Sequence, residues 1–256
     1  LPTYDFSGRR LFLDAPLAAG ARAALERTQA NYLLNVLRLK AGDRVLVFNG
    51  RDGEWRAEVL QEGRRSAELR VAEQVRHQTA AGDLLYLFAP LKHARLDYTV
   101  QKVVEMGASA LKPVFTRRTQ ASRVNRERMR ANVIEAAEQC GILSVPEVLG
   151  EEELVSALSH LDRDRLLIFC DEDAPVANPV EALSGLRSRP EKIAVLVGPE
   201  GGFTEEERTL AGRHAYVVRL SLGPRILRAD TAAVAALAVV QAVLGDWRTA
   251  GQPASA

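Results

Sequence analysis

Two regimes of hydrophobic patterning divide the chain. In the first 75 residues the apolar runs are short and broken by turn residues. Arg44-Val45-Leu46-Val47-Phe48 is a β-rich run stopped by Asn49-Gly50, a dipeptide that reaches positive φ readily and so suits a tight turn. Glu54 to Leu60 alternates polar and apolar residues, the period of a strand with one wet face, and Ala67 to Val71 reads as another strand. Leu33, Leu34 and Leu37 fall at helical spacing between Thr28 and Leu39. A small β-barrel with one helix is expected over residues 1–75. Residues 76–82 are polar, contain Thr79-Ala80-Ala81-Gly82, and read as a linker.

From residue 83 to 256 the pattern changes. Leu84 to Phe88 is continuously apolar, Leu96 to Met106 carries helical spacing up to Gly107, Ala110 to Phe115 is a strand and Arg123 to Gln139 a helix. Leu166 to Cys170, Ile193 to Val197 and Tyr216 to Leu220 are three more buried-type strands, and an Ala-rich helix runs from Thr231 to Leu244. Strands apolar throughout that alternate with helices predict an α/β domain, its mostly parallel sheet covered by helices on both faces.

Composition narrows the class. Hydrophobic residues at 47% and charged residues at 26% are ordinary for a globular protein. No apolar run approaches the roughly 18 residues of a membrane span. Asp5, Gly8 and the pair Arg9-Arg10 stand where a secretory leader would be apolar. Two distant cysteines, Cys140 and Cys170, form no disulfide framework and fit a reducing, cytoplasmic setting. The net charge of +1 conceals an asymmetry: residues 1–140 carry 23 Lys and Arg against 16 Asp and Glu, residues 141–256 carry 11 against 17. The front half is where a polyanion would bind. His77, His93, His160 and His214 are scattered, neither cysteine has a ligand at motif spacing, and no metal is expected.

Two strand-to-helix loops carry the chemistry. After Leu196-Val197 comes Gly198-Pro199-Glu200-Gly201-Gly202-Phe203, where missing Cβ atoms let a ligand approach the backbone, or simply permit a tight turn. Thr204-Glu205-Glu206-Glu207 is a capping box that starts a helix. Neither a P-loop nor a G-x-G-x-x-G fingerprint is present. The second loop runs Leu220-Ser221-Leu222-Gly223-Pro224-Arg225-Ile226-Leu227-Arg228, followed by Ala229-Asp230-Thr231. Asp230-Thr231 reads as an N-cap region, and Ile226 and Leu227 suggest that something apolar is enclosed there, an adenine ring or another part of the chain.

Together these two loops resemble the RsmE family, the ribosomal small-subunit RNA uracil-N3 methyltransferases of the SPOUT superfamily. The resemblance extends to Gln101-Lys102 with Glu105-Met106-Gly107, to Pro113 with Arg117-Arg118-Thr119, to Glu135 through Gly141, and to Val36 through Asp43, and so covers nearly the whole chain. The family usually has Glu where Asp230 stands, often Arg at Ile142 and His at Asn31; Ile142 is therefore assigned no RNA contact. The resemblance implies a deep trefoil knot in the C-terminal half with both loops in it, S-adenosylmethionine as cofactor, a homodimer and a PUA-like N-terminal barrel. The implied cofactor residues are Leu196, Gly198, Pro199, Glu200, Gly201 and Gly202 from the first loop, and Leu220, Ser221, Leu222, Gly223, Ile226 and Leu227 from the second.

Chemistry assigns the remaining roles. A uracil N3 is a ring N–H that must lose its proton, while a sulfonium methyl needs only in-line placement. Arg228, and after it Arg225, is the candidate to hold charge developing on the uracil oxygens. Asp230 takes the proton, orients Arg228, or merely caps the last helix, in which case the arginines hold phosphate. The base must be unpaired or extruded, so RNA has to be gripped by its phosphates. Residues 112–130 contain Lys112, Arg117, Arg118, Arg123, Arg126, Arg128 and Arg130 against Glu127 alone, either a solvated helix face or an RNA surface. Arg9, Arg10, Arg38 and Lys40 are their N-terminal counterparts. The expected partner is 16S ribosomal RNA or the assembled small subunit. Competing readings are a SPOUT enzyme for another RNA, such as a transfer RNA 2′-O-methylase, and a non-catalytic assembly factor. The helix from Thr231 to Leu244, with Ala232, Ala233, Ala235, Ala236 and Ala238, is expected at or near the dimer interface.

Overall fold

A computed structural model describes residues 8–61, 66–176, 178–186 and 189–248; residues 1–7, most of the stretch weighed above as a leader, lie outside these. The chain divides into two compact units, one from Leu1–Ala81 and Ala137–Val145, the other from Gly82–Ala136 and Pro146–Ala256. Among the described residues no helix is long and apolar enough to cross a membrane.

The first unit is a five-stranded sheet of β1 (Arg10–Phe12), β2 (Arg22–Ala24), β3 (Arg44–Phe48), β4 (Glu54–Gln61) and β5 (Ala67–Arg76), in the order β1-β3-β4-β5-β2. β1 runs parallel to β3 and the other pairs are antiparallel. The alternation in β4 buries Ala57 and Val59 against Val45, Val47, Leu69 and Val71. The turn between β3 and β4 needs glycine at Gly53, where φ is +79° and a Cβ would lie 2.3 Å from the Arg76 carbonyl oxygen. The helix expected from Thr28 to Leu39 is split: α1 (Arg27–Asn31) passes into a π-helical turn, Tyr32–Val36, and Arg38 at φ +57° ends the run. β1 and β2 are three residues each, too short for an alternation to show.

A buried ion cluster ties this unit together. Arg10 Nε bonds Glu54 Oε1 at 2.5 Å, and Arg76 Nε bonds Glu54 Oε2 at 2.8 Å. Arg10 also donates to the carbonyls of Ala137, Glu138 and Ile142, and Arg76 to that of Gly141. Burial alone would push the Glu54 carboxyl up, but Arg76 and Arg10 outweigh it and hold the group below its ordinary value. This corrects the RNA-binding role expected for Arg10. Its side chain is 4% exposed, its donors are taken, and it lies 4.3 Å over the Phe48 ring.

The second unit contains β6 (Asp83–Phe88), α2 (His93–Glu105), β7 (Ala110–Phe115), most of α3 (Arg126–Gln139), β8 (Glu147–Val148), β9 (Glu152–Glu153), α4 (Leu154–Ser159), β10 (Leu166–Cys170), α5 (Pro179–Ser184), β11 (Lys192–Val197), α6 (Glu205–Gly212), β12 (Val217–Leu220) and α7 (Ala229–Val243). Its sheet is parallel throughout, in the order β12-β10-β11-β6-β7-β8, with β9 also paired to β7. α4 and α6 cover the face carrying Leu87, Phe169 and Leu196. Side-chain alternation leaves Tyr86, Ile168 and Val195 to the other face, where α7 packs on β11 with α2 and α5 against it. Gly107, at φ +83°, stops α2 as expected, and Gln241 of α7 donates to the Met106 carbonyl there at 2.8 Å. Between β11 and β12 the chain steps over β10, so the carboxyl ends of three strands open together at a point where winding reverses, the usual place for a ligand in a parallel sheet.

Candidate active site

Three loops leave that edge. The first follows β11. Gly198 sits under the Phe203 ring, and a Cβ there would meet ring carbons at 2.5 and 2.8 Å. Gly202 has φ +70°, and its Cβ position is 3.2 Å from Glu172 Oε1. Thr204 then starts α6 through the expected capping box: its hydroxyl accepts the Glu207 N–H at 3.3 Å, and Glu207 Oε2 accepts the Thr204 N–H at 2.8 Å. The other oxygen of the buried Glu207 accepts the Arg117 N–H at 2.8 Å, which fastens the turn after β7 to the same helix start.

The second loop follows β12 and contains Gly223 at φ +96°. Leu220 and Ser221 are buried, whereas Ile226 is 91% exposed. The N-cap of α7 is Arg228, with no side-chain cap bond, so the N-cap expected at Asp230-Thr231 falls earlier. Asp230 lies in the first turn of the helix, its second residue. It accepts Arg95 Nε at 3.0 Å and the Thr231 N–H at 2.8 Å. Partial burial would raise the Asp230 carboxyl, but the bonds from Arg95 and Thr231 prevail and hold it below its ordinary value.

The third loop follows β10 and was not singled out from the sequence. Asp171, only 4% exposed, accepts Arg219 Nε at 2.8 Å, and Arg208 of α6 bonds Glu172 at 2.9 Å and also Asp173. Burial, with the Asp171 carboxylate beside it, pushes the Cys170 thiol up to about 12, so it stays an inert thiol at neutral pH.

Together the loops line a cleft open to solvent. Of the cofactor residues expected, Gly198, Pro199, Glu200 and Gly202 line it from the first loop, and Leu220, Ser221, Leu222, Gly223, Ile226 and Leu227 from the second. Leu196 and Gly201 do not. Leu196 is buried in the sheet core, and the Gly201 carbonyl faces Arg118, accepting its Nη1 at 2.6 Å. Among the candidate catalytic residues Arg225 lines the cleft; Arg228 and Asp230 stand just beyond it. The lining residues missed are Cys170, Asp171 and Glu172, with Val197, Phe203, Arg208, Ala229 and Ala232. The one signal for the first three is the acidic run Asp171-Glu172-Asp173 at the end of an apolar strand. Exposed backbone, apolar Leu222 and Leu227, and an acidic wall suit a flat, partly apolar ligand that also carries hydroxyls or positive charge.

The basic stretch after β7 is less free than its composition suggests. Lys112 pairs with Glu152 at 2.5 Å and Arg128 with Asp97 at 2.5 Å. Arg126 donates to the Val148 carbonyl at 3.2 Å. Arg117, Arg118, Arg123, Arg126 and Arg130 are exposed in the second unit, as are Arg9, Arg38 and Lys40 in the first.

Comparison with known proteins adds a family. Residues 78–241 match the model described as an RNA methyltransferase domain, and residues 25–72 one described as an RNA methyltransferase PUA domain. The ribosomal RNA small subunit methyltransferase E of Rickettsia conorii is 32% identical over 91% of this chain and 94% of its own length. That of Synechocystis is also 32% identical, over 88% and 74%. Among solved structures, the Neisseria gonorrhoeae ribosomal RNA small subunit methyltransferase E bound to S-adenosylmethionine is 29% identical, with TM-score 0.83 over 94% of this chain and 99% of that one. A Legionella pneumophila methyltransferase with bound S-adenosylmethionine is 28% identical, with TM-score 0.80 over 93% and 99%.

Proposed function

The chain belongs to the RNA methyltransferase family whose relatives are named ribosomal RNA small subunit methyltransferase E, and from that premise we propose that it methylates N3 of a uridine in 16S ribosomal RNA. The observation that carries the reading is the cleft between the β11 and β12 loops, within the matched segment and walled on one side by Asp171 and Glu172. S-adenosylmethionine bound there supplies an electrophilic methyl group on a sulfonium. Gly198 and Gly202 let the loop close against Phe203 and Glu172, and Leu222 and Leu227 in the cleft would give an adenine ring apolar contact.

The acceptor side follows from charge. The N3 proton leaves to water first, and the resulting negative charge is shared by N3 and the two uracil oxygens; it would be spent as N3 takes the methyl group and the sulfonium S–CH3 bond breaks to leave a neutral thioether. Arg225, which lines the cleft, would meet that charge, with Arg228, exposed at the start of α7, as the second donor. Asp230 is a poor proton store, being held ionised by Arg95, and its partner is Arg95 rather than Arg228. RNA is gripped by Arg117, Arg123 and Arg130 in one unit and by Arg9, Arg38 and Lys40 in the other, all exposed. Arg118 and Arg126 are exposed in the second unit as well, each with one donor already engaged, as Arg9 has in the first.

Two implied features belong to the same reading. The loops after β11 and β12 meet at the cleft, as a trefoil crossing requires. A homodimer would form through the half-buried apolar positions of α7, Val234, Ala235, Ala238 and Val239, because Ala232, Ala233 and Ala236 are already buried within the unit. Sedimentation at micromolar concentration tests the dimer: a monomer excludes it. The function itself is tested by single-turnover methylation of purified 16S RNA and of intact small subunits, with the methylated nucleoside identified by mass spectrometry. N3-methyluridine in either substrate supports the proposal. A 2′-O-methyl nucleoside, or S-adenosylmethionine binding without transfer, overturns it.

A further inference from the structure

One cation lies between the two cofactor loops. Arg95, in the first turn of α2, sends Nη1 to Glu200 Oε1 at 2.7 Å and Nε to Asp230 Oδ2 at 3.0 Å. Its Nη2 lies 3.5 Å from Asp230 Oδ1. Glu200 stands in the loop after β11, and Asp230 directly follows the loop after β12. The two carboxylates thus meet through one guanidinium carried by a third element.

That element is a firm mount. The Thr99 hydroxyl donates to the Arg95 carbonyl at 2.8 Å, and Val100, Val103 and Val104 are buried behind it. At its far end Gln241 of α7 locks α2 in place. The planar fork of arginine donates in two directions at once, whereas a lysine ammonium acts as a point charge. The loops themselves are rich in glycine, so their spacing is costly to fix by local conformation alone.

We propose that Arg95 is a positioning residue of the methyltransferase site: it sets the separation of the two loops by holding Glu200 and Asp230, and so shapes the cleft before S-adenosylmethionine enters. This rests on the cofactor reading above. Arg95 is absent from the cleft lining and has no part in the bond changes. Its effect is preorganisation, which raises affinity by removing an ordering cost from binding.

The test is calorimetric affinity for S-adenosylmethionine with the full chain, alongside melting temperatures. Arg95→Ala is expected to weaken binding on the order of tenfold, and Arg95→Lys to recover only part of that, because an ammonium cannot span both carboxylates. The decisive readout is a double-mutant cycle. Glu200→Gln and Asp230→Asn should be coupled by about threefold in affinity when Arg95 is present and additive when it is Ala. A residue that merely packs α2 would lower the melting temperature and leave the cycle additive in both backgrounds. Additivity with Arg95 present, or unchanged affinity in Arg95→Ala, overturns the clamp while the cofactor reading stands. A parent protein that binds no S-adenosylmethionine overturns the cofactor reading, and the clamp with it.

Discussion

Gly198→Ala tests whether the first loop is shaped by packing beneath it. The added methyl would sit 2.5 Å from Phe203 Cε2 and 2.8 Å from Cζ, about 1 Å inside contact distance. The ring has nowhere to retreat. Phe203 is 5% exposed and meets the fully buried Phe169 edge-on, with centroids 4.9 Å apart. Overpacking of this kind costs about 1–3 kcal/mol. At roughly 2–4 °C per kcal/mol for a unit of this size, the melting temperature should fall by about 2–12 °C. Because Gly198 lines the cleft, the displaced backbone should also weaken S-adenosylmethionine binding, on the order of tenfold. The same variant with Phe203→Leu removes the offending ring carbons, so it should bind more tightly than Gly198→Ala alone. Calorimetry and thermal melts on the three variants decide it. Parent-like melting and affinity in Gly198→Ala, or a double variant no better than the single, would refute the steric argument.

Three further outcomes follow from the same geometry. Arg225→Ala should slow single-turnover methylation at saturating RNA by on the order of a hundredfold with RNA affinity nearly intact, and Arg228→Ala should do so less; parent-like rates in both remove arginine from the chemistry. Arg123→Ala with Arg126→Ala should weaken RNA binding and flatten its salt dependence, a defect that excess RNA rescues, as titrations at several salt concentrations would show. Glu54→Gln leaves Arg10 and Arg76 without their buried counter-charge and should cost about 3–5 kcal/mol. Since the folded state holds the Glu54 pKa below 4.5, its contribution is complete above that value and lost as pH falls through the folded pKa. The stability gap between parent and variant should therefore narrow in acid, and a gap independent of pH would count against the ion cluster.

Much of the catalytic unit was legible in sequence because its information is local. Apolar runs located β7, β10 and β11 to within a residue, glycine marked the end of α2, and the Thr204–Glu207 capping box formed as read. The glycine loop and the arginine loop could be singled out because each is a strand end in its own right, and in the fold both line one cleft. What could not be read is who meets whom across strands. Arg10 looked like a second RNA cation beside Arg9; one residue along β1 turns its side chain inward onto Glu54, 44 positions away. Lys112 and Arg128 looked uncompensated because Glu152 and Asp97, which neutralise them, lie outside the basic run.

The same limit changes the reading of Asp230. Alone in sequence, an acid just after an arginine loop invites the role of proton acceptor or helix cap, and both depend on its immediate neighbours. In the fold its controlling neighbour is Arg95, 135 residues earlier, brought alongside because α2 packs on α7. A carboxylate so held is ionised but weakly basic, which moves its value from taking a proton to holding a loop. The methyl transfer needs little acid–base assistance once the uracil anion is formed and stabilised, since a sulfonium that gives up its methyl group leaves as a neutral thioether without taking a proton. Positioning is then where the protein can contribute most, and the contacts that link separate strand ends are those of Arg95 with Glu200 and Asp230, Arg208 with Glu172, and Glu207 with the Arg117 N–H.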